Sequence, residues 1–178
     1  MHTNLENVLK VVKGKVKKLL DRDDIVDVIL FGSAVKGKVL PNDIDIAVLS
    51  KEKNLFKMKG FHVSTLNVED IFKKTTPLIT TLIREGISLK NERSVAEILG
   101  FKPRTMFTYK INDKNSSEKV KIVNTLRGRG NRNGLVKKFE GVWISKQVFL
   151  VPPSNELIFD EFFRRFRVKY KKFYLLIH

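Results

Sequence analysis

Residues 25–48 read IVDVILFGSAVKGKVLPNDIDIAV, and this stretch determines the fold predicted for the first half of the chain. Ile25 to Phe31 is an apolar, β-branched run of strand length that ends at a glycine, which predicts a buried strand followed by a tight turn. Asp43 to Leu49 alternates polar and apolar residues and predicts a second strand. Because alternate strand residues project from the same face, Asp43 and Asp45 are expected to point the same way.

Helical periodicity and capping signals flank these two strands. The predicted elements are a helix over Leu5 to Leu20 with a capping box at Thr3 and Glu6, a third strand over Phe61 to Leu66, a short helix through Asp70 to Lys73 capped by Asn67, a helix from Pro77 to Gly86 capped by Thr76, and a helix over Ser94 to Leu99 with Ser94 and Glu97 as its capping pair. The first half is therefore predicted to be an α/β domain, residues 1–100.

The second half has a different pattern and is predicted to be a smaller α+β domain, residues 101–178. Its predicted elements are a strand at Met106 to Ile111, a helix from Ser117 to Leu126, a glycine-rich basic loop from Arg127 to Gly134, a strand at Val142 to Val151, a helix near Asn155 to Phe166 and a strand at Val168 to Ile177. Aromatic and basic residues interleave near its end, and rings at these spacings predict a core edged by long cations rather than a base-stacking surface.

Positive charge is concentrated in this second half. The chain of 178 residues carries a formal charge of +16. Residues 101–178 hold 18 basic and 6 acidic side chains, whereas residues 1–100 hold 17 and 13. A surface this basic attracts polyanions, and nucleic acid is the foremost expected partner. The alternative is that the lysines serve heat adaptation or solubility alone.

The composition also excludes several classes of protein. The chain has no cysteine, which excludes a disulfide scaffold, a thiolate zinc site and cysteine nucleophile chemistry. Its apolar runs fall short of the roughly 18 residues that span a bilayer, and its first 20 residues lack the apolar core of a signal peptide. We expect a cytoplasmic protein that does not bind membranes.

The residues around the glycine turn have the chemistry of a metal and phosphate site. Magnesium prefers carboxylate oxygens, which Asp43 and Asp45 would supply from one strand face. Gly32 lets the main chain approach phosphate oxygens, and the Ser33 hydroxyl can donate to them. Gly-Ser or Asp-x-Asp alone is a weak signal, and the two together are specific.

Phe31-Gly32-Ser33 followed by Asn42-Asp43-Ile44-Asp45-Ile46-Ala47 resembles the signature of the minimal nucleotidyltransferases of the DNA polymerase β superfamily, over roughly residues 5–92. The resemblance implies a small mixed sheet flanked by helices. It also implies transfer of a nucleoside monophosphate from a nucleoside triphosphate, with ATP expected, to a hydroxyl acceptor with Mg²⁺ or Mn²⁺. Asp43 and Asp45 would be the catalytic metal ligands. Gly32 and Ser33 would bind the triphosphate, with Lys36 adding positive charge nearby.

One departure from that family bears on activity. Its active members carry a third carboxylate on the following strand, and the predicted strand Phe61 to Leu66 has none. Aligning the acids downstream puts Ser64 at that position, with His62 two residues away on the same face. The missing acid gives one alternative to an active enzyme, a catalytically impaired module that senses nucleotide or binds nucleic acid. The resemblance itself implies a further alternative, an antitoxin that pairs with a small helical toxin.

The basic segment after the second-half helix is the candidate nucleic-acid site. Its candidate residues are Arg127, Arg129, Arg132, Lys137 and Lys138. Arginine donates hydrogen bonds to phosphate through a planar guanidinium group of fixed geometry, and the glycines between the arginines give the backbone conformational freedom. The segment lacks the Lys-Ser/Thr ending of a phosphate loop, so it is not a second nucleotide site. A flexible, solvated loop is the alternative.

Overall fold

The computed structural model describes residues 2–36, 44–52, 54–73 and 75–178, with side chains from Leu5 onward. The chain divides into two compact units. The first comprises residues 1–102 together with His178, and the second runs from Pro103 to Ile177. Each unit has a sheet and a hydrophobic core of its own.

The first unit is a mixed α/β structure. Its elements are α1 (His2–Leu20), β1 (Ile25–Phe31), β2 (Ile44–Ser50), β3 (Phe61–Asn67), α2 (Val68–Lys73), α3 (Pro77–Glu85), β4 (Ile87–Ser88), β5 (Arg93–Ser94) and α4 (Val95–Ile98). The strands form one sheet in the order β3-β2-β1-β4-β5. β1 pairs antiparallel with β2 and β4, whereas β2 and β3 are parallel. The predicted mixed sheet is thereby confirmed.

The alternation of side chains along β1 and β2 gives this sheet two buried faces. On one face, Val28, Leu30 and Ile46 pack with α1 residues such as Val12 and Val16. On the other face, Ile29 and Ala47 pack with Ile79 and Leu82 of α3. Helices therefore cover both faces, which is why β1 and β2 are apolar almost throughout.

Most of the predicted caps form. Thr76 accepts a hydrogen bond from the Ile79 amide at the start of α3, and Ser94 and Glu97 form a reciprocal capping box on α4. Asn67 likewise accepts from the Glu69 amide at the start of α2. The predicted start of α1 is wrong, because the helix begins at His2 and continues through the Thr3 to Glu6 pattern. Capping preferences are local and do not prevent a helix from starting earlier.

The second unit packs helices against a separate four-stranded sheet. Its elements are β6 (Lys102–Lys110), α5 (Ser116–Arg127), β7 (Gly128–Arg129), β8 (Arg132–Asn133), α6 (Leu135–Lys138), β9 (Val142–Ser145), β10 (Val148–Val151), α7 (Glu156–Arg165) and β11 (Lys169–Ile177). The main sheet has the order β11-β6-β10-β9, and β7 pairs with β8 alone. Apart from the small β7–β8 hairpin and α6, the element order is that of a split βαβ unit.

Aromatic rings fill the core of the second unit. Phe107 and Phe149 stack with centroids 5.4 Å apart, and Phe163 stacks on Tyr170 at 4.8 Å. Phe162 and Phe163 are buried in α7. Of the interleaved aromatics near the end of the chain, Phe162, Phe163 and Tyr170 therefore lie in or against the core as predicted. Two others of that set, Phe173 and Tyr174, are 45% and 40% exposed.

Two predicted elements of the second unit are wrong. The single strand predicted at Val142 to Val151 is a hairpin of β9 and β10, which reverses at Lys146 and Gln147 without a glycine or proline to mark the turn. The basic segment from Arg127 to Gly134 is not a loose loop, since it contains the β7–β8 hairpin.

Among the described helices, none is both long and apolar enough to cross a bilayer.

Candidate functional site

The end of β1 and the start of β2 form the candidate site in the first unit. Phe31 pairs with Asp45 across the two antiparallel strands. The chain then turns through a short 3₁₀ helix, Gly32 to Ala34, with Gly32 at a φ of 76°. This left-handed conformation favours glycine. The tight turn that the sequence predicted directly after the first strand is therefore present.

The missing side chain of Gly32 makes room for the carboxylate of Asp45. A Cβ atom on Gly32 would overlap Oδ2 of Asp45 and approach its Cγ to 3.2 Å. The Asp45 side chain is 29% exposed, so its oxygens remain accessible to a ligand. The backbone of the turn and this carboxylate thus lie directly against each other.

His62 lies beside Asp45 on the parallel neighbour strand. β2 and β3 pair in a register that sets Asp45 opposite His62, and Nδ1 of His62 lies 3.1 Å from Oδ1 of Asp45. The imidazole is 72% exposed. Ser64, which the sequence alignment placed at the position of the third acid, pairs instead with the buried Ala47. The β3 side chain in contact with Asp45 is therefore His62.

The second predicted carboxylate, Asp43, lies outside the described residues, which resume at Ile44. The expectation that Asp43 and Asp45 share one face therefore stays a prediction. Within the described ranges, no group of three or more histidine, cysteine, aspartate or glutamate side chains is arranged to hold a metal ion. Asp45 and His62, which contact each other, both have side chains of a type that binds metal ions.

Lys36 is held by an acid that the sequence did not single out. Its Nζ lies 3.0 Å from Oε2 of Glu85, at the end of α3. The Glu85 side chain is only 3% exposed and also accepts from Arg84. The nearly buried Glu85 carboxylate anchors Lys36 just after the Gly32 turn. No spacing signal points to Glu85, because the contact joins residues 49 positions apart along the chain.

The predicted basic residues of the second unit have different surroundings. The Arg127 guanidinium lies 3.9 Å from the centroid of the Trp143 ring and donates to the carbonyls of Ser145 and Lys146. These contacts join α5 to β9, which gives Arg127 a structural role. All five predicted residues are exposed. The other four are Arg129 and Arg132 on the hairpin and Lys137 and Lys138 on α6.

Another basic residue of the second unit, Lys172, belongs to a largely buried ionic network. Lys172 of β11 donates to Glu156 at 2.6 Å and to Asp160 at 2.8 Å, both on α7. Burial opposes the charge of Lys172, but hydrogen bonds and attraction from the two carboxylates raise its pKa above the usual range. Burial and the hydrogen bond to Asp160 raise the pKa of Tyr170 to about 12. This network stabilises α7 on the sheet and is not available to a ligand.

Comparison with known proteins gives one match. A family model described as "Polymerase beta, Nucleotidyltransferase" matches residues 14–114, which include β1, the Gly32 turn, β2 and β3. Comparisons with curated proteins and with solved structures each found no match. The matched span covers more than half of the chain and contains the whole of the candidate site.

Proposed function

This chain belongs to the polymerase β nucleotidyltransferase family, and we propose that it transfers a nucleoside monophosphate from a nucleoside triphosphate to a hydroxyl group of an acceptor. ATP is the proposed donor. The observation that carries the proposal is the contact between the Gly32 turn and the Asp45 carboxylate. A backbone turn that can approach phosphates and a carboxylate that can bind their cation lie side by side there.

Each residue of the site has a proposed role. The backbone of Gly32 and the hydroxyl of Ser33 bind the triphosphate oxygens, and Asp45 together with Asp43 holds a divalent cation, Mg²⁺ or Mn²⁺. Such an ion supplies charge neutralisation and orientation to the phosphates. His62, within hydrogen-bonding distance of Asp45, acts as a positioning residue that fixes the rotamer of this carboxylate.

The proposed reaction is a displacement at phosphorus. The acceptor hydroxyl oxygen forms a bond to the α-phosphorus, and the bond between that phosphorus and the α,β-bridging oxygen breaks. Pyrophosphate leaves with the electron pair, and the hydroxyl proton passes to solvent. The contribution of the chain is to bind and orient the reactants, since a well-placed pair can gain about 7–11 kcal/mol from proximity.

A transfer assay tests this function. The full chain is incubated with each α-labelled nucleoside triphosphate, Mg²⁺ or Mn²⁺, and RNA or protein acceptors, and both covalent label and pyrophosphate are measured. We expect transfer that is lost in Asp45→Asn and in Asp43→Asn. Thermal unfolding of each variant controls for its folding. Transfer that persists in both variants would contradict the assigned roles.

A second candidate function rests on the absence of an acid from β3. The strand reads FHVSTLN, so a histidine rather than a carboxylate lies beside Asp45. In this alternative, the first unit binds a nucleoside triphosphate without turning it over. Saturable triphosphate binding with no pyrophosphate release for any donor or metal would favour this function over transfer.

A further inference from the structure

The β7–β8 hairpin places two arginines directly against each other. Arg129 and Arg132 are opposite in the antiparallel register. Opposed residues of such a pair project from the same face with Cβ atoms about 4.5–5.5 Å apart, and like charges there are destabilising. Neither guanidinium has a hydrogen bond or ion pair within the part of the chain that the structure describes. An anion bound between the two side chains would remove this repulsion.

The hairpin is joined to α5 by close backbone contacts. Gly128 has a φ of 95°, and its amide donates to the Asn124 carbonyl at the end of α5. A Cβ on Gly128 would overlap the carbonyl oxygen of Arg132, and one on Gly134 would overlap the backbone of Leu126 to Gly128. These glycines are needed for close backbone packing. The backbone at Gly128 and Gly134 is therefore packed against its own chain, whereas Gly130 and the arginine side chains are exposed.

Positive charge is in excess around the hairpin. Three of the six acidic residues in residues 101–178 are engaged elsewhere, with Glu118 in the cap of α5 and Glu156 and Asp160 on Lys172. Lys137 and Lys138 follow the hairpin on α6, and both are exposed. No acidic residue occurs between Lys119 and Phe139. This excess favours a ligand with several negative charges.

We propose that the β7–β8 hairpin of the second unit binds the phosphodiester backbone of a nucleic acid, with Arg129 and Arg132 on adjacent phosphates. Arginine donates to phosphate in a planar fork, which suits two closely spaced guanidinium groups. This is a binding site distinct from the Gly32 turn and Asp45, and it goes beyond the proposed transfer reaction. Backbone contacts of this kind are independent of base sequence.

Salt-dependent binding of the full chain tests this proposal without any nucleotide or metal. Fluorescence anisotropy is measured with a labelled 20-nucleotide single-stranded RNA, and with DNA of the same sequence, over a series of salt concentrations. Each phosphate contact contributes about 0.7 to the slope of log affinity against log salt for single strands. The double variant Arg129→Gln/Arg132→Gln is expected to lower the slope by about 1.4 and the affinity at 0.1 M salt more than about tenfold.

The matched control removes two charges from α1. Lys10 and Lys17 are exposed there, so Lys10→Gln/Lys17→Gln changes the net charge equally. We expect this control variant to have the same salt dependence and the same affinity for the nucleic acid as the unmodified chain. Equal binding of RNA and DNA identifies the phosphate backbone as the ligand. Stronger binding of RNA indicates an added contact to the 2′-hydroxyl. Either result supports the site when the hairpin variant shows the expected loss. Equal losses in the two double variants, or an unchanged slope in the hairpin variant, would overturn it. Neither result depends on whether the first unit transfers nucleotides.

Discussion

At the residue scale, the contact between Gly32 and Asp45 is the feature on which the site depends. It could be predicted in part from the sequence, because Gly-Ser after a strand and Asp-x-Asp on the next strand are local patterns. The contact of Asp45 with His62 could not be predicted, because strand register is set by pairing along the whole of β2 and β3. The sequence placed His62 and Ser64 on one face of this strand, and the register shows that His62 is the one beside Asp45.

A substitution at Gly32 separates backbone strain from loss of the site. Gly32→Ala is expected to lower the free energy of unfolding by about 1–2 kcal/mol, the cost of a left-handed non-glycine residue. It is also expected to displace the Asp45 carboxylate and to abolish triphosphate binding. Urea unfolding and calorimetric binding of a non-hydrolysable triphosphate measure the two effects.

Gly60→Ala is the control for this substitution. Gly60 has a φ of 80°, close to that of Gly32, but nothing lies within 4 Å of its added Cβ. We expect a similar loss of stability with triphosphate binding retained. Equal retention of binding in Gly32→Ala would mean that the carboxylate does not need the space at Gly32.

At the element scale, capping signals predicted the starts of α3 and α4, although the pattern at Thr3 and Glu6 did not mark the start of α1. Thr76 and the Ser94 and Glu97 pair act within one helical turn, so the sequence carries the whole of their information. The reversal between β9 and β10 carries no such local signal. It follows from the pairing of β10 with β6 on one side and β9 on the other, which is a tertiary property.

The Lys172 network is predicted to stabilise the packing of α7 on β11. Lys172→Met leaves the nearly buried Glu156 carboxylate without its cation, and we expect a loss of about 2 kcal/mol, less than for a fully buried pair because Lys172 is a quarter exposed. Lys171→Met is the control, since Lys171 is the adjacent, exposed residue on the opposite face of the strand. Its stability is expected to change by less than about 0.5 kcal/mol. Equal losses in urea unfolding would contradict the role of the network.

The same elements predict a loss of stability at high pH. The pKa of Tyr170 is raised to about 12 in the folded chain, from about 10 when unfolded. The folded state then binds more protons between these values, so this contribution is complete below about pH 10 and is lost as the pH rises towards 12. Lys172, with its raised pKa, acts in the same direction.

Tyr170→Phe checks this dependence. The variant removes the titrating hydroxyl, and the decrease in its free energy of unfolding between about pH 10 and 12 is expected to be shallower than that of the unmodified chain. Urea unfolding at a series of pH values gives both curves. Parallel curves would show that Tyr170 does not contribute to alkaline destabilisation.

At the scale of the whole molecule, the chain combines two units with separate cores and different charge. The family match begins at residue 14, covers most of the first unit and ends at residue 114, shortly after the second begins. The sequence could indicate the α/β pattern of the first half and the basic charge of the second, since both are compositional or periodic. It could not indicate that Arg127 packs on Trp143 while Arg129 faces Arg132, because those surroundings arise from the fold.

The central claim is that the Gly32 turn and Asp45 bind a nucleoside triphosphate together with a divalent cation. The most direct measurement is calorimetric titration of the full chain with a non-hydrolysable triphosphate, with and without Mg²⁺, for the unmodified chain and Asp45→Asn. Binding that requires Mg²⁺ and is lost in the variant is the predicted result. Binding that is equal in the two proteins, or is indifferent to Mg²⁺, would contradict the claim.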